Sequence, residues 1–256
     1  MTSSSGREMT SRAVVRGLVQ EYGAVRALDD VSFALGEGIT ALIGANGAGK
    51  STLLTAVAGG RRPTAGSVEV AGHDVYGRRT RRPALRRVAL VPQLPRFPSN
   101  LTAREVVAYL AWMRGLPSGR AGQAADDALE RVGLEARRSS KLGSLSGGML
   151  RRVALAQALA GEVDVLLLDE PSTGLDPHQR RSMVDLLQTL PGTVLISSHV
   201  MEDVADLAER IIALHEGLVR FDGTPSALAD RAPAGTTEHR RLEAGFLSVC
   251  LEGRAA

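Results

Sequence analysis

The sequence predicts an α/β fold with a largely parallel core sheet, an antiparallel β edge and an inserted helical subdomain. Three observations predict it. Short apolar runs alternate with helical patterns, a glycine-rich turn links one such run to a helix, and strand signals vanish between Leu94 and about Leu150.

The runs AVVRGLV (residues 13–19) and ITALIG (39–44) read as strands, the second feeding the glycine-rich turn. KSTLLTAVAGG (50–60) reads as a helix stopped by Gly59 and Gly60. SVEVAG (67–72) reads as a strand of the antiparallel edge, and RVALVPQ ends a further strand at Pro92. TAREVVAYLAWM (102–113) opens with Thr102 and carries Glu105 three residues on, a reciprocal cap at a helix start. A second helix is expected from Gly122 to Val132. Strand character returns in VDVLLLDE, TVLISSH and RIIALHEG, and Thr224–Pro225 marks the start of a short helix. Leu242, Phe246 and Val249 recur at helical spacing in the tail. The expected organisation is a disordered end (1–12), a first part of the core (13–93), a helical subdomain (94–150), a second part of the core (151–230) and a tail with a short helix (231–256).

At 256 residues and 27.0 kDa, the chain has room for one large domain with an insertion. No apolar run approaches the roughly 18 residues that span a bilayer, and the polar start MTSSSGREMTSR lacks the apolar centre of a signal peptide. A cytoplasmic chain is expected, with any membrane role supplied through a partner. The single cysteine, Cys250, excludes an internal disulfide and a cysteine-based metal cluster. Net charge is +3, almost all of it arginine; Lys50 and Lys141 are the only lysines. Arginines 78, 79, 81, 82, 86 and 87 either touch phosphates or lipid headgroups or form a solvated face. No nucleic-acid partner is expected.

The strongest chemical signal is GANGAGKS (44–51), which follows a strand and opens a helix. Glycines let backbone N–H groups close around phosphate oxygens, and the helix start adds partial positive charge. Gly44, Asn46, Gly47, Ala48, Gly49, Lys50, Ser51 and Thr52 are therefore candidate nucleotide-binding residues. Lys50 would hold the terminal phosphates of ATP, and the Ser51 hydroxyl would meet Mg²⁺. The bland alternative is a glycine-rich turn with one exposed lysine. VDVLLLDE (163–170) sets two carboxylates directly after a buried strand. Asp169 suits a direct or water-separated Mg²⁺ partner, and Glu170 suits a base for attacking water; taken alone, such a pair is more often a loop start, and the phosphate loop in the same chain reverses that. LSGGM (145–149) forms a second backbone-donor cluster ahead of a helix through Ser146, Gly147 and Gly148. One nucleotide cannot easily use both clusters, unless two chains each contribute one. Standing alone, LSGGM is an ordinary helix cap.

Six ordered motifs, GANGAGKST, VPQ, LSGGM, LLLDEP, STGLDP and SSH, resemble the ABC ATPase family over roughly residues 14–228. The resemblance implies a P-loop NTPase core. It also implies an ATP-hydrolysing motor subunit of a transporter that works with a separate transmembrane permease and a second ATP-binding subunit. Such a chain would lie at the inner face of the membrane through its permease. By the same resemblance, Gln93 contacts Mg²⁺ or water and links to the permease, His199 contacts the terminal phosphate and Asp176 communicates across the dimer. Tyr22 stands where the family carries an aromatic that stacks on adenine; as a lone residue it reads as edge packing. Met149 departs from the usual glutamine, leaving Ser146 and both glycines intact. LSGGM with Arg151 and Arg152 resembles the branch of drug and antibiotic exporters. An importer motor and a non-transport ATPase acting on ribosomes or nucleic acid are the alternatives.

Overall fold

The computed structural model describes residues 11–252. The end expected to be disordered lies outside them, except for Ser11 and Arg12. Arg12 is tied in, donating its N–H to Leu35 and accepting from Ala71, so strand pairing begins before Ala13.

β1 (Ala13–Tyr22) and β2 (Val25–Leu35) form a hairpin, pairing Tyr22 with Val25 across a two-residue turn. β3 (Gly38–Ile43) runs into the phosphate-loop candidate and α1 (Lys50–Val57). β4 (Ala65–Val70) and β5 (His73–Asp74) follow, then α2 (Arg81–Arg87) and β6 (Val88–Val91). The helical stretch contains α3 (Ala103–Met113), α4 (Ser118–Arg131) and α5 (Gly147–Leu159). The second half runs β7 (Val165–Asp169), α6 (Pro177–Gln188), β8 (Thr193–Ser198), α7 (Met201–Leu207), β9 (Arg210–His215), β10 (Leu218–Gly223), α8 (Pro225–Ala229) and α9 (Arg241–Glu252).

Two sheets result. One is antiparallel in the order β2-β1-β4-β5; the other runs β10-β9-β3-β8-β7-β6, parallel except for β10. Burial explains the difference. All six residues of β8 are buried, as a strand covered on both faces requires. The early part of β1 instead alternates, with Ala13 and Val15 inward and Val14 and Arg16 less buried.

Helix α1 fills the space between the sheets. Leu53, Leu54 and Val57 share a core with Leu18 and Leu28 of one sheet and Leu42, Leu167 and Leu195 of the other. A second core joins α3, α4 and α5 through Val107, Ala111, Ala125, Ala128, Leu129 and Val153. The small alanines allow these helices to approach closely. Thr102 accepts from the N–H of Glu105, whose carboxylate accepts from Thr102 N–H at 2.7 Å, completing the reciprocal cap.

Several features differ from the sequence expectations. Helix α4 starts at Ser118, four residues before Gly122, because Pro117 supplies the preceding cap position with a φ of −56°. Strand β2 and helix α2 carried no clear periodic signal. The arginine run ends in α2, where Arg87 pairs with Asp164 at 3.6 Å and Arg81 donates to the carbonyl of Gly59. The tail packs back as α9: Phe246, Val249 and Cys250 are buried against Ile211, Ala213 and Leu228. A Cβ on Gly245 would lie 2.0 Å from the Leu228 carbonyl, so glycine permits this close packing.

Candidate functional site

Parallel register brings the reactive segments together. Ile43 pairs with Ser198, and Asp169 with Ser197, so β3, β7 and β8 release Gly44, Glu170 and His199 at one edge of the sheet. A cleft of about 390 Å³ opens there, lined by Asn46, Gly47, Gly49, Lys50, Ser51, Thr52, Gln93, Glu170 and His199. Ala27, Ala45 and Thr173 complete its wall.

The loop geometry is set by its backbone. Gly49 has φ +106°, and a Cβ there would stand 2.6 Å from the Ala27 carbonyl, so the loop requires glycine. Among the described residues, no backbone carbonyl accepts from the amides of Asn46, Gly47 or Gly49. Lys50 opens α1 and is only 7% exposed. Its ammonium donates to the carbonyls of Gly44 at 2.7 Å and Ala45 at 3.3 Å and lies 3.7 Å from Glu170 Oε1. Unclaimed amides and a restrained cation at a helix start form a cradle for phosphate oxygens.

Glu170 sits in the left-handed region at φ +50°, an uncommon conformation for a residue with a side chain. Its N–H donates to the carbonyl of Ser197 and to that residue's hydroxyl, the latter at 2.9 Å. The Thr173 hydroxyl donates to Glu170 Oε2 at 2.7 Å, and His199 Nδ1 stands 2.5 Å from the same oxygen. Ser197 also donates to Asp169 Oδ1 at 2.6 Å, so one hydroxyl couples the two acids. Sequence reasoning passed over Thr173 and Ser197; both lie inside recognised motifs, but a hydroxyl gives no sign of its target until the strands are paired.

Ser51 and Gln93 bring oxygen-bearing side chains to the cleft wall, whereas Asp169, at the end of β7, is not among the lining residues and accepts from Ser197. Oxygen donors suit a hard cation such as Mg²⁺, which is commonly held by few protein ligands together with phosphate. No group of three or more His, Cys, Asp or Glu that could hold a metal occurs among the described residues.

Other expected site residues lie elsewhere. Ser146 caps α5, accepting from Met149 N–H at 3.3 Å. With Gly147, Gly148 and Arg151 it lines a separate concavity of about 350 Å³. The start of α5 at Ser146, Gly147 and Gly148 opens onto this concavity, which suits it to an anion, and burial lowers the pKa of the neighbouring Arg151. Asp176 caps α6, accepting from Gln179 N–H at 2.8 Å. Tyr22 is 40% exposed at the hairpin end, with the Arg61 guanidinium 4.4 Å from its ring centroid. None of these lines the Lys50 cleft.

A mostly parallel sheet whose edge carries a glycine-rich loop, a lysine and adjacent carboxylates has the architecture of a P-loop nucleotide-binding α/β protein. Residues 28–173 match the family described as ABC transporter, and the chain belongs to that family. It is 37% identical over 219 residues to the Nod factor export ATP-binding protein I of Burkholderia orbicola, covering 84% of this chain and 71% of that protein. It is 43% identical over 215 residues to the energy-coupling factor transporter ATP-binding protein EcfA2 of Symbiobacterium thermophilum, covering 81% and 75% of the two chains. A solved ATP-binding subunit of an ABC transporter superposes with a TM-score of 0.80 at 26% identity, covering 93% of this chain and all of the other. A dimeric cassette bound to ADP and phosphate superposes at 0.73 with 25% identity over 83% and 98% of the chains. The protein is therefore an ABC-type ATP hydrolase and the ATP-binding subunit of a transporter. No helix among the described residues is long and apolar enough to cross a membrane.

Proposed function

We propose that this chain drives export through a separate permease, hydrolysing Mg-ATP in a site shared between two ATP-binding subunits. The observation that carries the shared site is the separation of two anion-suited surfaces, the Lys50 cleft and the Ser146 concavity. The export reading draws support from the similarity to proteins named for Nod factor export. The likeness to an energy-coupling factor protein supports a second reading, in which the same motor serves that kind of transporter.

In the proposed mechanism, the loop amides and Lys50 bind the phosphates while Tyr22 stacks on adenine. Mg²⁺, held through Ser51, Gln93 and Asp169, would neutralise phosphate charge. Glu170 orients water and accepts its proton, and His199 holds Glu170 and the terminal phosphate in register. The partner chain's copy of Ser146, Gly147 and Gly148 caps that phosphate, with Asp176 at the junction. ATP thereby favours the closed pair, which opens after hydrolysis. The permease, in contact with the cytoplasmic motor at the membrane's inner face, converts that motion into transport.

Mixing a Ser146→Arg subunit with a Lys50→Ala subunit tests the shared site. Each parental homodimer carries two half-damaged sites and should be inactive. Their heterodimer restores one intact composite site, so ATPase activity should appear on mixing. Normal hydrolysis by Ser146→Arg alone, within the assembled transporter, would exclude the arrangement. Vesicles containing the co-purified permease distinguish the direction of transport by the side on which substrate accumulates.

A further inference from the structure

Asp203 is a buried carboxylate with no place in the catalytic scheme above. Its side chain is 6% exposed and accepts from Arg180 Nε at 2.7 Å. Its other oxygen accepts from the Ser172 hydroxyl. A carboxylate is rarely buried unless donors compensate its desolvation, and here the donors come from two different segments. Arg180 also reaches the exposed Glu202, at 3.4 Å.

The three partners connect the segments that carry the site. Ser172 is two residues beyond Glu170. Arg180 lies in the first turn and a half of α6, and its N–H donates to the carbonyl of Asp176 at 2.8 Å. Asp203 lies in the first turn of α7, four residues beyond His199. The hydrogen bond to Asp203 is the main cause of the raised Arg180 pKa, so this cation stays charged.

We infer that Asp203 is a positioning residue for hydrolysis, locking the Glu170 segment, the Asp176 helix and the His199 segment into one unit. The inference rests on the roles of Glu170 and His199 proposed above. The Glu170–His199 contact spans the β7 and β8 ends, and the Ser172–Asp203 bond spans the same two segments a few residues on. If that bond opens, α7 can shift against the β7 loop, and the short catalytic contact lengthens with it. Reaction rates are steeply sensitive to such shifts: a misplacement of about 1 Å can cost on the order of a hundredfold. Phosphate binding is set chiefly by the Lys50 loop, which the clasp does not touch, so the affinity for ATP is expected to change far less than the rate.

The test uses the full chain with saturating Mg-ATP, below its unfolding transition. Ser172→Ala deletes one donor and keeps the Arg180–Asp203 pair; Ser172→Thr keeps the hydroxyl. Arg180→Gln approaches the same carboxylate from its other partner. Ser172→Ala and Arg180→Gln should each lower kcat on the order of tenfold with ATP Kd unchanged, a partial misplacement on the scale above. Ser172→Thr should turn over within about twofold of wild type, since the bond to Asp203 is retained. A clasp that only stabilises the fold would lower Tm and leave kcat intact. Wild-type kcat in either donor-deletion variant, a parallel loss of ATP affinity, or failure of threonine to restore turnover would overturn the inference. Glu170→Gln serves as a separate arm: wild-type turnover there would remove the proposed catalytic role itself, whatever the Ser172 variants do.

Discussion

Glu170 Oε2 stands 2.5 Å from His199 Nδ1, across the gap between the ends of β7 and β8. The same oxygen accepts from Thr173, while Oε1 faces Lys50 at 3.7 Å. The carboxylate is therefore held at both oxygens on the floor of the cleft.

Replacing Glu170 with glutamine keeps the side-chain shape and removes the carboxylate proposed to accept the proton. Hydrolysis should slow by about 10²–10⁴-fold, the usual contribution of a positioned base. ATP binding should persist, and an ATP-bound dimer should accumulate on size-exclusion chromatography. Turnover near wild type would exclude Glu170 as the base.

Lys50→Ala should weaken ATP binding itself, since a charge-assisted phosphate contact disappears. Lys50→Arg should not restore it. The Lys50 side chain is 7% exposed and its ammonium is bonded to two loop carbonyls, a space that a planar guanidinium does not match. Titration with a fluorescent ATP analogue checks both variants. Unchanged affinity in both would remove the cleft as the phosphate site.

Tyr22→Ala should lower ATP affinity on the order of tenfold, through lost stacking on adenine. Tyr22→Phe should bind nearly as well, because the ring and its contact with Arg61 are retained. Inorganic tripolyphosphate, which has no base, should bind all three proteins alike. Equal ATP affinity in the alanine variant would assign Tyr22 to packing alone.

Thr102→Ala should reduce stability by about 1 kcal/mol, the usual effect of deleting a helix N-cap. The loss falls on α3, away from the Lys50 cleft, so ATP affinity should not change. Urea denaturation and nucleotide titration together separate these outcomes.

The candidate phosphate loop was legible because its chemistry is local: the glycine spacing, the lysine and the start of the helix lie within residues 44–51. The Thr102–Glu105 cap and the Thr224–Pro225 helix start were legible for the same reason. Strand β2 was not, since its order comes largely from pairing with β1 and packing over α1. The early start of α4 was obscured by Gly119, a poor helix former that follows Pro117.

Motif order alone carried the family resemblance and the ATP chemistry, and it nominated the residues proposed to bear that chemistry. Tertiary structure decided which of those residues share one cleft. Strand β8 lies between β3 and β7, and this order sets His199 against Glu170, 29 positions apart in sequence. It also decided that Ser146 and Lys50 line different concavities, and that Ser172, Arg180 and Asp203 meet. Those contacts arise from parallel strand register and helix packing over long separations. A one-dimensional pattern identifies the side chains, but their distances exist only after burial of the core has ordered the sheet.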